Sequence, residues 1–209
     1  MEIRGVVPGD RAELLALSSR AGAGSPTESI WGHPESEAAV YFTPYLELEP
    51  ESLFVAVAGG QLVGYLAGCV DTAAFPSEEE RMRAAISDHR LFTKRRPLMF
   101  FARAAVDAVR PGPKAGELED PRYPAHLHIN LVPAARGTGA ADALMAHWFA
   151  RLAEVGAPGC FLQTLVENPR AGAFFERAGF TDHGPTPLVP GLRYRGARVH
   201  QRTMVRDPR

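Results

Sequence analysis

Leu131-Val132-Pro133-Ala134-Ala135-Arg136-Gly137-Thr138-Gly139-Ala140-Ala141 joins a strand-like segment directly to an amphipathic helix. Upstream, Ala125 to Val132 alternates polar and apolar residues, and Pro133 lacks the N–H that a ladder needs, which predicts a strand ending at Val132. Downstream, Ala141, Leu144, Trp148, Leu152 and Val155 share one helical face, with Gly156 placed as a C-cap and Pro158 just beyond. A helix therefore starts near Gly139. Glycines at such a junction let main-chain N–H groups approach a ligand closely, and the helix start adds unpaired donors with roughly half a unit of positive charge. The junction reads as a cradle for a diphosphate, with a tight turn as the competing reading.

No Lys-Ser or Lys-Thr follows the glycines, as a phosphate-binding NTPase loop needs, and there is no full Gly-x-Gly-x-x-Gly. Further along, Gly159 to Val166 is a short apolar run fit for a strand, followed by Glu167-Asn168-Pro169-Arg170-Ala171-Gly172-Ala173-Phe174-Phe175-Glu176-Arg177-Ala178-Gly179-Phe180. Asn168 suits an N-cap, Pro169 the first helical position and Gly179 the position after the helix, which predicts a short capped helix on physical grounds alone.

The two blocks together resemble motifs A and B of the GNAT acetyltransferase superfamily: Arg136-x-x-Gly139-x-Ala141 for the first, and Asn168-x-x-Ala171 with the aromatic pair Phe174-Phe175 and Gly179-Phe180 for the second. The resemblance covers about Leu53 to Phe180. It implies an α/β (α+β) GNAT fold, with a central mixed, mostly antiparallel, splayed β-sheet and helices on both faces. It also implies acetyl-CoA as co-substrate. By this likeness Leu131, Val132 and Pro133 would meet the pantetheine arm, the Leu131 N–H would stabilise an oxyanion, and Arg136, Gly137, Thr138, Gly139, Ala140 and Ala141 would hold the pyrophosphate. Asn168, Arg170, Phe174, Phe175 and Arg177 would lie along the rest of the cofactor.

A smaller circle of bacterial members shares Tyr-x-x-Pro-Tyr-Leu-Glu-Leu-Glu-Pro (Tyr41 to Pro50), Asp71-Thr72 and Tyr-Pro-Ala-His-Leu-His-Ile (Tyr123 to Ile129). That circle resembles the acetyltransferase-like domain of eukaryotic O-GlcNAc hydrolases.

The acid and base of the reaction are less plainly written. Where many relatives place a Tyr to protonate the leaving sulfur stands Phe175, which has no proton to give. A thiol's reference pKa of about 8.5 lets a thiolate leave without that help, so the alternative is a catalytically impaired acyl-CoA-binding pseudo-acetyltransferase. A longer acyl chain or an O-linked acceptor is a third reading. Where some relatives carry a Glu base stands Leu127; His126 and His128 flank it and point together to the opposite sheet face. Asn130 occupies a place where several relatives have Asp, and an amide cannot take the proton. His128 is the base candidate, grouped with Asn130 and Leu131 as the catalytic set. Glu167, Tyr194 and water held by Glu47 or Glu49 are the others.

The remainder of the 209 residues is expected to complete one domain. Ile3 to Val7 predicts a strand, Pro8 to Ala21 a helix with Leu14, Leu15 and Leu17 inward, Gly22 to Thr27 a loop, and Glu35 to Leu48 a second helix. Ser52 to Ala58 and Gln61 to Val70 flank Gly59-Gly60 as a hairpin. Residues at about 71–124 form an insertion between that hairpin and the motif A strand, with a helix near Ser77 to Leu91. A segment this long is expected to be ordered, covering a cleft or forming a surface contact.

A net charge of −1 gives no footprint for nucleic acid or an anionic membrane, and no apolar run approaches a membrane span. With no signal-peptide pattern the expectation is a cytoplasmic protein. Cys69 and Cys160 read as buried hydrophobes, and the seven His residues are scattered without ligand spacing except His126 and His128, so no metal is expected. The acceptor is a small-molecule or protein amine, and a homodimer is compatible with the late strands.

Overall fold

The structure, a computed structural model, describes residues 1–21, 25–26 and 30–207. Eight strands form one sheet: β1 (Glu2–Gly5), β2 (Leu53–Ala58), β3 (Gln61–Cys69), β4 (Ala125–Leu131), β5 (Cys160–Leu165), β6 (Thr181–Asp182), β7 (Leu188–Tyr194) and β8 (Ala197–Arg206). Their order is β1-β2-β3-β4-β5-β8-β6, with β7 paired to β8 off this path. Every pairing is antiparallel except β4 with β5. The helices are α1 (Arg11–Ala21), α2 (Pro34–Tyr41), α3 (Thr43–Leu48), α4 (Glu78–Asp88), α5 (Arg95–Ala108), α6 (Ala140–Val155) and α7 (Pro169–Arg177).

Strand alternation divides the core. On β3, Leu66 faces one way with Leu127 of β4 and Leu162 of β5; against them α6 packs Leu144, Met145, Trp148 and Leu152, and α7 packs Phe175. Gly68 lies directly under the Trp148 ring, where any β-carbon would collide with the indole. Tyr65, Ala67 and Cys69 face the other way, onto Leu14 and Leu17 of α1 and onto Phe42 and Tyr45. Each fully buried leucine in these layers contributes about 1.5–3 kcal/mol by leaving water.

The helix expected over Glu35 to Leu48 is two helices. Phe42 leaves helical geometry (φ −139°, ψ −52°) and Pro44 opens α3; a proline in a continuous helix would delete one hydrogen bond and clash with the carbonyl four residues back. The insertion holds a helix that periodicity did not announce, α5, whose Pro97 sits in the first turn where its missing N–H costs nothing. The strands after Phe180 were likewise not individually anticipated. The loop read at Gly22 to Thr27 lies largely outside the described residues.

Residues 71–124 reach from α2 and the start of β4 across to β7 and β8. Helix α4, with Ser77 and Glu80 forming a capping box, runs against α2, where Tyr41 Oη donates to Glu78 Oε1 at 2.8 Å. Helix α5 lies on β7 and is fixed there by Asp107, whose side chain is fully buried. Its carboxylate accepts from Gly191 N (3.0 Å), Arg193 Nη1 (2.7 Å) and Nη2 (3.1 Å), and Arg198 Nε (3.0 Å). The connection onward crosses the sheet at Gly116, whose carbonyl accepts from the side-chain amides of Gln163 and Gln201. Among the described residues no helix is long and apolar enough to cross a membrane.

Candidate active site

Strands β4 and β5 pair only at Ala125↔Cys160 and His126↔Phe161, and beyond them the two strands diverge. β4 meanwhile stays paired to β3 through Gly64↔Leu131, and Val132 N donates to Val63 O at 2.9 Å. With Val132 turned toward β3, alternation turns the peptide groups of Ile129 and Leu131 toward the gap, where no ladder receives them. Among the described residues, a wedge thus opens between β4 and β5, with β4 main-chain groups that no ladder pairs.

The predicted cradle lies at the wide end of that wedge. Pro133–Ala135 forms one 3-10 turn, and Thr138 Oγ1 donates to Ala135 O at 2.7 Å, closing the loop behind it. Gly137 and Gly139 both take the left-handed conformation (φ +77° and +86°), and a β-carbon on either would project into open space. Gly139 serves as the N-cap of α6 without any side-chain cap, so the first-turn N–H groups of Ala140 and Ala141 face outward with the positive end of a sixteen-residue helix behind them. Arg136 contributes by its backbone and by shaping the loop: its Nε donates to Leu131 O (3.3 Å) and its Nη2 to Ala21 O (3.1 Å). Partial burial, and then the charge of Arg170, lower the Arg136 pKa, so two cations stand near each other at this end.

Asn168 caps α7, its Oδ1 accepting from Ala171 N at 3.3 Å. Phe175 is buried beside Phe174 and Phe180 at ring-centroid distances of 5.2 and 5.9 Å. Arg177 Nη1 donates back to Ala173 O on the exposed side of α7.

The opposite sheet face carries a chain of polar contacts that sequence spacing does not disclose. Thr72 Oγ1 donates to Pro124 O at 2.7 Å. Its hydroxyl proton being used, Thr72 must accept from His126 Nδ1, 2.7 Å away. His126 then has only a lone pair at Nε2 and accepts from Tyr45 Oη at 2.7 Å. Tyr45 oxygen in turn accepts from His128 Nε2 at 3.0 Å. The series fixes His128 as the Nε2–H tautomer and leaves Nδ1 with its lone pair, unbonded among the described residues. Arg81 closes the cluster from α4. It is buried, donates to Val40 O and Glu117 Oε1 at 2.7 Å each, and lies over the rings of Phe75 and Tyr45.

Burial, then the neighbouring charge of Arg81, hold the His128 pKa down at about 4, and burial also holds His126 well below its usual range. Both rings are neutral at neutral pH. Since the unfolded chain protonates its histidines near 6.5 and the folded one resists until far lower, this part of the stability is full above pH 6.5 and is lost as the pH falls toward 4. Urea midpoints measured across that window should drop steadily, and His128→Gln should flatten the drop.

Asn130 Nδ2 donates to Tyr65 Oη at 3.1 Å, on the same face. The other base candidates lie elsewhere. Glu167 is bound to His200, accepting from its backbone N and lying 2.9 Å from Nδ1. Glu47 pairs with Arg11 at the surface, Glu49 accepts from Ser52 Oγ, and the Tyr194 ring carries the guanidinium of Arg195. Cys69 and Cys160 are buried and free; desolvation pushes both thiols up to about 12, so neither supplies a thiolate near neutrality.

A sequence model described as the acetyltransferase (GNAT) family matches residues 23–180. Among solved structures, the crystal structure of SsHAT aligns with a TM-score of 0.63 at 26% identity, covering 100% of this chain and 98% of that one. A ribosomal-protein-alanine N-acetyltransferase from Brucella melitensis aligns at 0.60 and 18% identity over 99% of each chain. The putative acetyltransferase yncA from Salmonella typhimurium, solved with acetyl-CoA, aligns at 0.62 and 16% identity over 100% of this chain and 94% of that one.

Proposed function

This chain belongs to the acetyltransferase (GNAT) family, and on that premise we propose that it is an N-acetyltransferase passing the acetyl group of acetyl-CoA directly to a primary amine in a ternary complex. The reading is carried by the juxtaposition of the β4–β5 wedge and its open anion cradle with a neutral imidazole on the acceptor face of the same strand.

Acetyl-CoA, as substrate, supplies an activated thioester; the residues present suit it. The N–H groups of Gly137 through Ala141 would hold its pyrophosphate, with Arg170 near by. Ile129 and Leu131 would pair with the pantetheine amides in place of the missing β5 ladder, as an added strand would. The Leu131 N–H would donate to the oxygen on which charge develops. His128 Nδ1 takes the proton from the amine nitrogen as that nitrogen bonds to the carbonyl. Asn130 and Tyr65 orient the acceptor. The thiolate departs without a positioned acid, because Phe175 offers none. The acetyltransferase-like domain of O-GlcNAc hydrolases remains the subgroup that the motifs at Tyr41 to Pro50 and Tyr123 to Ile129 favour.

Calorimetric titration with acetyl-CoA, followed by thiol release across a panel of primary amines, tests the reading. Saturable binding with amine-dependent turnover supports it. Binding without turnover on any amine would leave an acyl-CoA-binding module instead, and absence of binding would refute both. Gly139→Val should weaken acetyl-CoA binding about tenfold or more, since its methyls would project into the open cradle where the pyrophosphate would lie. Gly184→Val, which puts the same side chain at a similar φ (+72°) in open space, should leave the affinity unchanged.

A further inference from the structure

Among the described residues, one group of three potential metal ligands converges: His33, Glu35 and His89 each offer a ligand atom within 4.8 Å of the others. The three come from two helix ends. His33 is the N-cap of α2, Glu35 lies in its first turn, and His89 is the C-cap of α4 in the insertion. The two imidazoles meet edge to face at a centroid distance of 5.4 Å, and Glu35 and His89 also line one surface pocket. We propose that His33, Glu35 and His89 bind a divalent transition ion of the zinc class, which clamps the insertion helix α4 to α2.

Two imidazoles and a carboxylate form a donor set that zinc accepts, with water completing the shell. The ring of His33 is already held by groups that a metal ligand requires behind it. Its Nδ1 lies 3.0 Å from Ser36 Oγ. That hydroxyl is buried, receives Trp31 Nε1–H at 2.8 Å and gives its own proton to His33 O at 2.9 Å, so toward the ring it can only accept. An Nδ1–H directed at Ser36 Oγ leaves the Nε2 lone pair for the ion. In the other tautomer Nδ1 caps Ser36 N at 3.3 Å, a longer contact, and metal binding selects against it. Rigidity at this junction reaches the acceptor face, because the residues α4 shares with α2 include Arg81, which touches both Val40 and Tyr45.

The inference stands apart from acetyl transfer. The test uses tag-free protein stripped with chelator, then titrated with cobalt(II) chloride and, by calorimetry, with zinc chloride. Expected are a visible cobalt absorption displaced by zinc, one ion per chain, and slowed amide exchange in α4 when zinc is present. Ser36→Ala should weaken binding about tenfold, as loss of an outer-shell partner does, and His33→Gln or His89→Gln by more. Far-UV dichroism of the metal-free variants should match the parent, since Glu35 is exposed and His33 and His89 are only half-buried at helix ends. No cobalt spectrum in the parent, or an equal one in the His33→Gln/His89→Gln double variant, would overturn the site and leave a plain stacking contact between two histidines.

Discussion

His128→Ala is expected to lower kcat by about 10², the lower end of the range for loss of a positioned proton acceptor because a pKa of about 4 makes the imidazole a weak base, with KM for acetyl-CoA nearly unchanged. The imidazole lies on the proposed acceptor face of β4, while the proposed cofactor contacts come from main-chain groups on the wedge side and from the loop at Gly137 to Ala141. Tyr45→Phe tests the same idea from a distance. It removes the oxygen that accepts from His128 Nε2 and the hydroxyl that donates to His126, so the preference for a bare Nδ1 is lost while the aromatic packing against Phe75 survives. A fall in kcat of about tenfold, without a change in KM for acetyl-CoA, is the expected result. With the His128 pKa held at about 4, kcat/KM should show no inflection from this residue near 6.5. It should instead rise with pH as the acceptor amine sheds its own proton. A His128→Ala enzyme that retains kcat within twofold of the parent would remove the imidazole from the chemistry.

Asp107→Ala is expected to cost about 2–4 kcal/mol, because it leaves the Gly191 N–H without an acceptor and Arg193 and Arg198, both partly open to solvent, without their counter-charge. For a domain of this size that corresponds to roughly 10 °C in melting temperature. The hydrogen bonds from Arg193, with those from Gly191 N and Arg198, outweigh desolvation and hold the Asp107 carboxyl far below the usual carboxylate range. Its contribution is therefore complete above about pH 4, the range of an unfolded Asp, and decays only as the pH falls toward the depressed folded value. Asp107→Asn should behave nearly as badly, since an amide keeps the shape but not the charge. Urea denaturation gives the magnitude, and native-state hydrogen exchange should localise the damage to α5 and β7. A loss under 1 kcal/mol would mean that α5 is held by its apolar contacts with β7 alone.

The parts of this molecule that could be read from sequence are those whose signals are local. The strand–turn–helix junction at Leu131 to Ala141 was legible because proline, glycine and a periodic apolar face follow one another closely along the chain. The capped helix after Asn168 was legible for the same reason. The break at Phe42 was missed because an apolar pattern runs straight through it, and only Pro44 marked the boundary. Helix α5 was hidden by Pro97, whose place in the first turn depends on a start that carries no capping side chain. The acceptor-face cluster is distributed over α3, the segment after β3, α4 and β4, so no window of sequence contains it. Tyr45 and Thr72 did fall within the stretches that carry the subgroup likeness, a hint of significance without a role. The convergence of His33 with His89 had no sequence signal at all, since ligand spacing within a motif is blind to residues that the fold brings together.

Because β4 and β5 are buttoned together at just two residue pairs, the sheet consists of two halves joined at a seam. A molecule that spans the seam stitches them, so occupancy should register far from the pocket, as slower breathing of the whole β5–β8 half and a steeper, more cooperative melt.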